Sequence, residues 1–126
     1  MPRYRILVVD DSELVQELAR LALETHAGWE VSCVSSGAEA LALAPSEQPD
    51  AVLLDVEMPE LDGPGTVAAL RADAVSAGVP IVFLTGHDDP DELARLDGLD
   101  VAGILAKPFD VSTLADQLAH TLGWPR

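Results

Sequence analysis

The sequence has little cysteine, little positive charge and no long apolar run. Its one cysteine, Cys33, excludes an internal disulfide and a zinc site built from several cysteines, as is typical of a reducing compartment. No apolar run approaches the roughly 18 residues that a membrane span needs. The run from Ile6 to Val9, which follows the arginines near the N terminus, is too short for a secretory signal. We therefore expect a cytoplasmic protein without membrane association.

Positive charge is scarce, because 7 Lys and Arg residues stand against 22 Asp and Glu residues, for a formal net charge of −15. Nucleic-acid binding depends on neutralising phosphates with basic side chains, and this chain would repel them. We therefore expect partners that are proteins or cations, and no direct contact with nucleic acid. Solubility alone explains most of the acidic residues equally well.

The length and the apolar content of the chain predict one globular domain. The 126 residues, 48% of them hydrophobic, are enough to bury a sizeable core. We find no repeat, linker or low-complexity tract. Residues 1–126 are thus expected to form a single domain, with no output domain in this chain.

Short apolar runs alternate with helix-like segments, which predicts a parallel sheet flanked by helices. The five runs are Ile6 to Val9, Val31 to Val34, Ala51 to Leu54, Ile81 to Leu84 and Val101 to Leu105. The first, third and fourth are apolar throughout, as strands buried on both faces are, whereas polar residues interrupt the second and mark it as an edge strand. The expected fold is a flavodoxin-like (βα)5 three-layer sandwich with sheet order 2-1-3-4-5.

Capping residues predict where the helices begin. The predicted caps are Ser12, Ser36 paired with Glu39, Asp89 and Asp110. We expect the first helix to end near Gly28 and the third to run from about Pro64 to Ser76. On the first helix, one face carries the residues spaced for packing, which are Leu14, Leu18, Leu21 and Ala22.

Polar side chains follow four of the predicted strands. Asp10 and Asp11 follow the first, Asp55 the third, Thr85 the fourth and Lys107 the fifth. The carboxyl ends of parallel strands lie on one rim of a sheet, which is where open sheets bind ligands. Carboxylates about 4 Å apart repel by about 4 kcal/mol per pair at an effective dielectric near 20. The cluster therefore calls for a cation, and Mg²⁺ prefers such oxygen ligands.

Lys107 is the only lysine, since the other six basic residues are arginines. Its compact ammonium can reach a phosphoryl oxygen as a point charge, and Thr85 adds a hydroxyl donor. A carboxylate nucleophile, a metal ion, a hydroxyl and an ammonium are the groups that in-line phosphoryl transfer needs. The strand ends thus predict a phosphoryl-transfer site.

Four segments resemble the receiver domain of two-component response regulators. They are Leu7-Val8-Val9-Asp10-Asp11-Ser12, the run from Asp55 to Gly63, Thr85-Gly86, and Lys107-Pro108-Phe109. The resemblance covers essentially the whole chain. It implies that Asp55 accepts a phosphoryl group from a sensor histidine kinase or a histidine phosphotransfer protein. It also implies a signalling module whose own chemistry is limited to self-phosphotransfer and autodephosphorylation.

The resemblance assigns roles to the residues around Asp55. Mg²⁺ would be held by Asp11, Asp55 and the backbone carbonyl of Glu57, with Asp10 acting mostly through water. Thr85 and Lys107 would bind phosphoryl oxygens, and the Lys107-Pro108 peptide would be cis. The downstream protein target would bind the face formed by helix 4, strand 5 and helix 5. Homodimer formation is left open.

Ile104 departs from the pattern of this family, which usually has Tyr or Phe three residues before the lysine. A β-branched aliphatic side chain has no ring or hydroxyl to move between exposed and buried rotamers. We predict that phosphorylation acts instead through the loop from Gly86 to Asp89 and the start of helix 4. A second hypothesis is that Glu57 and His87 tune the lifetime of the phosphoryl group.

Two alternative functions stay open at this point. A degenerate receiver, which binds partners without phosphorylation, is favoured by Ile104. A phosphatase of the haloacid-dehalogenase type also uses an aspartyl phosphate with Thr and Lys in this order. However, the nucleophile of those enzymes normally begins an Asp-x-Asp pair on the first strand, whereas Asp55-Val56-Glu57 follows the third predicted strand.

Overall fold

The computed structural model describes residues 3–86 and 88–125, so His87 lies outside the described part. Within it, strands and helices alternate along the chain. The elements are β1 Arg5–Val9, α1 Glu13–Ala27, β2 Glu30–Val34, α2 Gly37–Glu47, β3 Ala51–Asp55, α3 Gly63–Ala72, β4 Ile81–Thr85, α4 Pro90–Asp97, β5 Gly103–Ala106 and α5 Leu114–Leu122. All neighbouring strands pair in parallel in the order β2-β1-β3-β4-β5. The predicted fold class is confirmed, as is the edge position of the second strand.

Helices cover both faces of the sheet, which explains why the central strands are apolar apart from Arg5 at the start of β1 and Asp55 and Thr85 at the ends of β3 and β4. Alternate residues of β1 point to opposite sides: Ile6 and Val8 belong to the core layer under α1 and α5, and Leu7 and Val9 to the layer under α2, α3 and α4. Strands β3 and β4 divide between the two layers in the same way. Each fully buried side chain of this size contributes about 1.5–3 kcal/mol to folding.

The first helix is rotated relative to the expected face. Leu14 is 69% exposed and Leu21 is 52% exposed, so their predicted packing on the sheet was wrong. The buried residues of α1 are Ala19, Ala22 and Leu23. Ala22 belongs to both sets, so its predicted packing is confirmed. The predicted and the buried faces overlap and have similar helical spacing, so periodicity alone could not choose between them.

The predicted caps of α1, α2 and α4 are confirmed. Ser12 Oγ accepts a hydrogen bond from the Val15 N–H, and Gly28, with φ of 69°, caps the C terminus of α1 as expected. Ser36 Oγ accepts from the Glu39 N–H at 3.1 Å. The Glu39 carboxylate accepts from the N–H of Ser35 at 2.7 Å instead of that of Ser36, which shifts the second half of the capping box by one residue.

Two helix boundaries differ from the prediction. Helix α3 ends at Ala72 and not near Ser76, because Asp73 Oδ1 accepts a hydrogen bond from the Val75 N–H at 2.8 Å and turns the chain. Asp110 closes a turn before α5 by accepting from the Ser112 N–H at 2.8 Å, and the helix itself begins at Leu114. Among the described residues, no helix is both long enough and apolar enough to cross a bilayer.

Candidate functional site

The polar strand ends predicted from the sequence lie on one rim of the sheet. Asp55 is the last residue of β3 and Thr85 is the last residue of β4, while Asp10 directly follows β1. The backbone pairing between β4 and β5 continues one residue beyond β5, where the Lys107 N–H donates to the Thr85 carbonyl at 2.8 Å. Parallel topology therefore gathers residues that are far apart in the chain.

Lys107 bridges two of the acidic side chains. Its Nζ lies 2.8 Å from Asp10 Oδ2 and 3.0 Å from Asp55 Oδ1. The Lys107 side chain is 23% exposed, against 1% for Asp10 and 7% for Asp55, so solvent screens these contacts only weakly. The Lys107-Pro108 peptide bond is cis, which confirms the expectation.

Three carboxylates share this site with the one ammonium. Oxygen atoms of Asp10, Asp11 and Asp55 all lie within 4.8 Å of one another, and Asp11 is the exposed member. Asp10 Oδ2 is buried and makes no aligned hydrogen bond with the described residues, although Lys107 Nζ is close to it. Carboxylate oxygens at this spacing, with negative charge in excess, fit a hard divalent cation such as Mg²⁺.

Backbone contacts hold the acidic side chains in place. Asp10 Oδ1 accepts a hydrogen bond from the Ser12 N–H at 2.9 Å. Asp55 Oδ1 accepts from the Glu57 N–H at 3.4 Å. The Glu57 side chain is exposed, and the role of its carbonyl as a metal ligand stays a prediction.

Gln16 also supports the site, and sequence reasoning missed it. Its Nε2 donates to the Asp10 carbonyl at 2.7 Å and to Ser35 Oγ at 3.1 Å, which ties the loop after β1 to the loop after β2. A single glutamine on a helix forms no recognisable motif, so the sequence carries no signal for this contact.

Gly63 allows the start of α3 to pack against the end of β3. A Cβ atom at this position would lie 2.8 Å from the Asp55 carbonyl oxygen and 2.8 Å from Val56 Cα, closer than carbon atoms normally come. The Gly63 N–H donates to the Val56 carbonyl at 2.8 Å. A larger residue here would displace the backbone that carries Asp55.

The environment shifts the pKa values of Asp55 and Lys107. Burial raises the pKa of Asp55 above its ordinary value of 3.8; the hydrogen bond from Lys107 opposes this rise, and the charge of Asp10 adds to it. Burial alone would lower the pKa of Lys107, but the carboxylates of Asp10 and Asp55 beside its ammonium outweigh this effect and raise that pKa above 10.5. Lys107 is therefore a cation at neutral pH, and a bound cation would favour the charged form of Asp55.

Comparisons with known proteins identify the class. Residues 6–119 match the response regulator receiver domain family, and the chain belongs to that family. It is 43% identical to the response regulator MprA of Mycolicibacterium vanbaalenii over 120 residues. This alignment covers 94% of this chain and 50% of that protein. The chain thus spans about half the length of the curated relatives it matches. Membership indicates a domain of two-component signalling and not a classical enzyme.

Solved receiver structures have the same fold. The chemotaxis response regulator CheY4 of Vibrio cholerae has a TM-score of 0.87 and 32% identity, over 95% of this chain and 99% of that one. The receiver domain of the sensor histidine kinase PA1611 from Pseudomonas aeruginosa has a TM-score of 0.83 and 30% identity. This match covers 97% of this chain and 99% of that one. That structure has a magnesium ion coordinated in its active-site cleft.

Proposed function

We propose that Asp55 accepts a phosphoryl group from a phosphohistidine, in a Mg²⁺-dependent reaction, and that the added charge changes the binding of a downstream protein. The donor would be a sensor histidine kinase or a histidine phosphotransfer protein. The observation that carries the proposal is the position of Lys107 Nζ between Asp10 and Asp55, within a cluster of three carboxylates. We place the reaction in the cytoplasm, in keeping with the single cysteine.

Asp55 is the best nucleophile of the three acids. The oxygens of Asp10 are engaged by the Ser12 N–H and by Lys107, and Asp11 is exposed at the edge of the cluster. The contacts of Asp55 with Lys107 and Glu57 both use Oδ1, which leaves Oδ2 for attack on phosphorus. The O–P bond would form as the N–P bond of the phosphohistidine breaks, and the released imidazole would take up a proton.

The neighbouring side chains would stabilise the charge that develops on the phosphoryl oxygens. Lys107 would turn its ammonium to one oxygen, and the Thr85 hydroxyl would donate to another. Asp10, Asp11, Asp55 and the Glu57 carbonyl would hold Mg²⁺. When bound, this ion would neutralise phosphoryl charge and align the donor. All of this chemistry lies within the one receiver domain.

We further propose that the signal reaches partners through the face formed by α4, β5 and α5. A phosphoryl group adds about −1.5 to −2 charges at neutral pH. Thr85 ends β4 at the rim of the candidate site and also lines the cleft between α4 and β5, and residues 86–89 connect it to α4. The hypothesis that His87 tunes the phosphoryl lifetime concerns a residue outside the described part of the chain, and for Glu57 it stays a prediction.

Mass spectrometry tests the proposal directly. Incubation with phosphoramidate and Mg²⁺ should give a labile adduct of roughly 80 Da, the mass of one phosphoryl group. Asp55→Asn should abolish the adduct. Asp50→Asn, which changes an exposed aspartate just before β3, should leave it intact. An adduct that persists in Asp55→Asn would refute the assignment.

A scaffold that works without phosphorylation is the second candidate, and Ile104 is the observation that favours it. Calorimetry with beryllofluoride and Mg²⁺ separates the two functions. Binding that is lost in Asp55→Asn supports the phosphoacceptor, and absence of binding supports the scaffold. Steady turnover of small phosphate esters would instead indicate a phosphatase.

A further inference from the structure

Gln16, at the start of α1, occupies the junction between the loop after β1 and the loop after β2. Its Nε2 lies near three oxygen atoms: the Asp10 carbonyl at 2.7 Å, Ser35 Oγ at 3.1 Å and the Val34 carbonyl at 3.4 Å. We propose that Gln16 is a positioning residue, which fixes the backbone between Asp10 and Asp11 and thereby sets the affinity of the candidate site for Mg²⁺. This inference rests on the proposed function, in which the carboxylates of these two residues help to hold the ion.

A glutamine side chain suits this junction because its carboxamide nitrogen is a hydrogen-bond donor. Two of the three neighbouring oxygens are backbone carbonyls, which can only accept hydrogen bonds. The NH2 group carries two hydrogens, and the two shorter contacts, to Asp10 and Ser35, account for both. Gln16 is half-buried, so water competes for these contacts less than it would at an open surface.

The contact with the Asp10 carbonyl bears on Asp11, because this carbonyl belongs to the planar peptide group that joins the two residues. At the other end of Asp10, its N–H donates to the Val34 carbonyl at 3.1 Å. Asp10 is buried, whereas Asp11 is exposed and has fewer neighbours that could fix its side chain. The position of the Asp11 carboxylate therefore depends on the peptide group that Gln16 holds.

The far side of the junction is anchored as well. The Ser35 N–H donates to the Glu39 carboxylate at 2.7 Å, at the start of α2. The backbone carbonyl of Gln16 lies 3.8 Å from Cys33 Sγ, on β2. Gln16 thus braces the loop after β1 against β2 and α2, two elements that carry none of the proposed metal ligands.

Metal affinity depends on the groups that hold the ligands as well as on the ligands themselves. Replacing a supporting residue of this kind typically lowers metal affinity by about 10- to 100-fold. The hydrogen bonds of the Gln16 side chain go to the loops after β1 and β2, and within the described residues none goes to Asp55, Thr85 or Lys107. We therefore expect Gln16 to affect binding of the ion, and not phosphoryl transfer once the ion is bound.

The test measures Mg²⁺ binding without a phosphodonor, from the amide chemical shifts of residues 10–12 and 57 as magnesium chloride is added. Gln16→Met keeps the length of the side chain and removes its donors, so it should weaken Mg²⁺ binding by about tenfold. Ser35→Ala removes one of the two shorter contacts and should weaken binding by about threefold. An unchanged Mg²⁺ affinity in Gln16→Met would overturn the proposal.

Two control variants separate positioning from a loss of stability. Gln117→Met makes the same exchange at an exposed glutamine of α5 and should leave Mg²⁺ affinity unchanged. Ala22→Gly destabilises α1 further along the helix, so it should lower the urea midpoint without lowering Mg²⁺ affinity. Equal losses of affinity in Ala22→Gly and Gln16→Met would assign the effect to helix stability, and the proposal would be wrong.

The rate of adduct formation separates binding of the ion from the reaction. With phosphoramidate and saturating Mg²⁺, Gln16→Met should form the Asp55 adduct within about twofold of the original rate, and it should be slow only at low Mg²⁺. A rate that stays low at saturating Mg²⁺ would assign Gln16 to phosphoryl transfer itself and overturn the proposal. If no adduct forms in the original protein while Gln16→Met still weakens Mg²⁺ binding, the phosphoacceptor function fails and the positioning role stands. If the original protein binds no Mg²⁺, both fail.

Discussion

The two rims of the sheet contrast in chemistry although the same five strands form both. The carboxyl rim gathers Asp10, Asp55 and Lys107, which are buried or half-buried. The amino rim gathers aromatic rings: Tyr4 stacks on Trp124 with centroids 3.7 Å apart, and Trp29 meets both rings edge-on at 5.7 and 5.4 Å.

The charges of the two rims also differ in exposure. At the amino rim, Arg5 and Glu30 pair at 3.1 Å with side chains 55% and 48% exposed. Such pairs contribute about 0–1 kcal/mol. The buried acids at the carboxyl rim outnumber their lysine, and folding alone would not favour that excess. This contrast agrees with the proposal that the carboxyl rim serves binding and chemistry, whereas the amino rim carries packing contacts.

The largest effect is expected at the carboxyl rim from Lys107→Met. Loss of the ammonium should slow formation of the Asp55 adduct by about 100-fold, the usual effect of removing one donor to a developing anion. Initial rates with phosphoramidate, followed by mass spectrometry, measure it. Lys107→Arg should recover only part of the rate, because the guanidinium is broader. An unchanged rate in Lys107→Met would remove Lys107 from the reaction.

At the amino rim, Trp124→Ala should lower the free energy of unfolding by about 2 kcal/mol, since a half-buried ring and its stacking on Tyr4 are lost. Urea unfolding measures this change. Trp124→Phe keeps a ring and should recover most of the stability. The rate of adduct formation should stay within about twofold of the original. If Trp124→Ala kept its free energy of unfolding but formed the Asp55 adduct more slowly, the assignment of stability to the amino rim and chemistry to the carboxyl rim would be contradicted.

A smaller effect is expected in the pH dependence of stability without Mg²⁺. The pKa of Asp55 is raised above 3.8 in the folded state, so the folded state binds this proton more tightly than the unfolded state does. Its contribution is present at acid pH and is lost as the pH rises through the raised pKa. Urea unfolding of Asp55→Asn should lack this decline. An identical pH profile for the two proteins would contradict the raised pKa.

The raised pKa of Lys107 acts at the other end of the pH scale. Because its folded pKa lies above 10.5, its stabilising contribution is complete below pH 10.5 and is lost as the pH rises through the folded pKa. Lys107→Met should lack this alkaline step in urea unfolding. If the original protein also lacks this alkaline step, Asp10 and Asp55 do not raise the pKa of Lys107, and the prediction is contradicted.

The smallest effect is expected from Glu30→Gln, which removes the exposed pair with Arg5. We expect a loss of about 0.5 kcal/mol at low salt. The loss should vanish near 1 M salt, where the screening length is about 3 Å. A loss that persists at high salt would show that this contact is more than an exposed ion pair.

Sequence reasoning placed the candidate site better than it placed the packing. Asp10, Asp55 and Lys107 were brought together as predicted, because parallel topology requires the strand ends to meet. The packing of Leu14 and Leu21 was wrong, because two faces of α1 have the same spacing. The α3 boundary was wrong because a local turn at Asp73 competes with the helix.

Contacts between distant segments escaped sequence reasoning altogether. The hydrogen bonds of Gln16 and the cluster of Tyr4, Trp29 and Trp124 join residues that share no motif or spacing. An open groove of about 430 Å³ between α4 and β5, lined by Leu93, Ile104 and Ala106 among others, likewise depends on how α4 packs against the sheet. The sequence identified Ile104 as a departure from the family pattern, but it did not indicate the open space beside this side chain.

The sequence by itself determined the order of strands and helices, the buried character of the central strands and the rim on which the polar residues meet. These features follow from apolar periodicity and from chain connectivity, both of which are local properties. Only the tertiary structure decided which face of α1 is exposed, how Lys107 divides between Asp10 and Asp55, and where a groove is left open. Each of these depends on the distance between elements, which packing of side chains sets and no local pattern encodes.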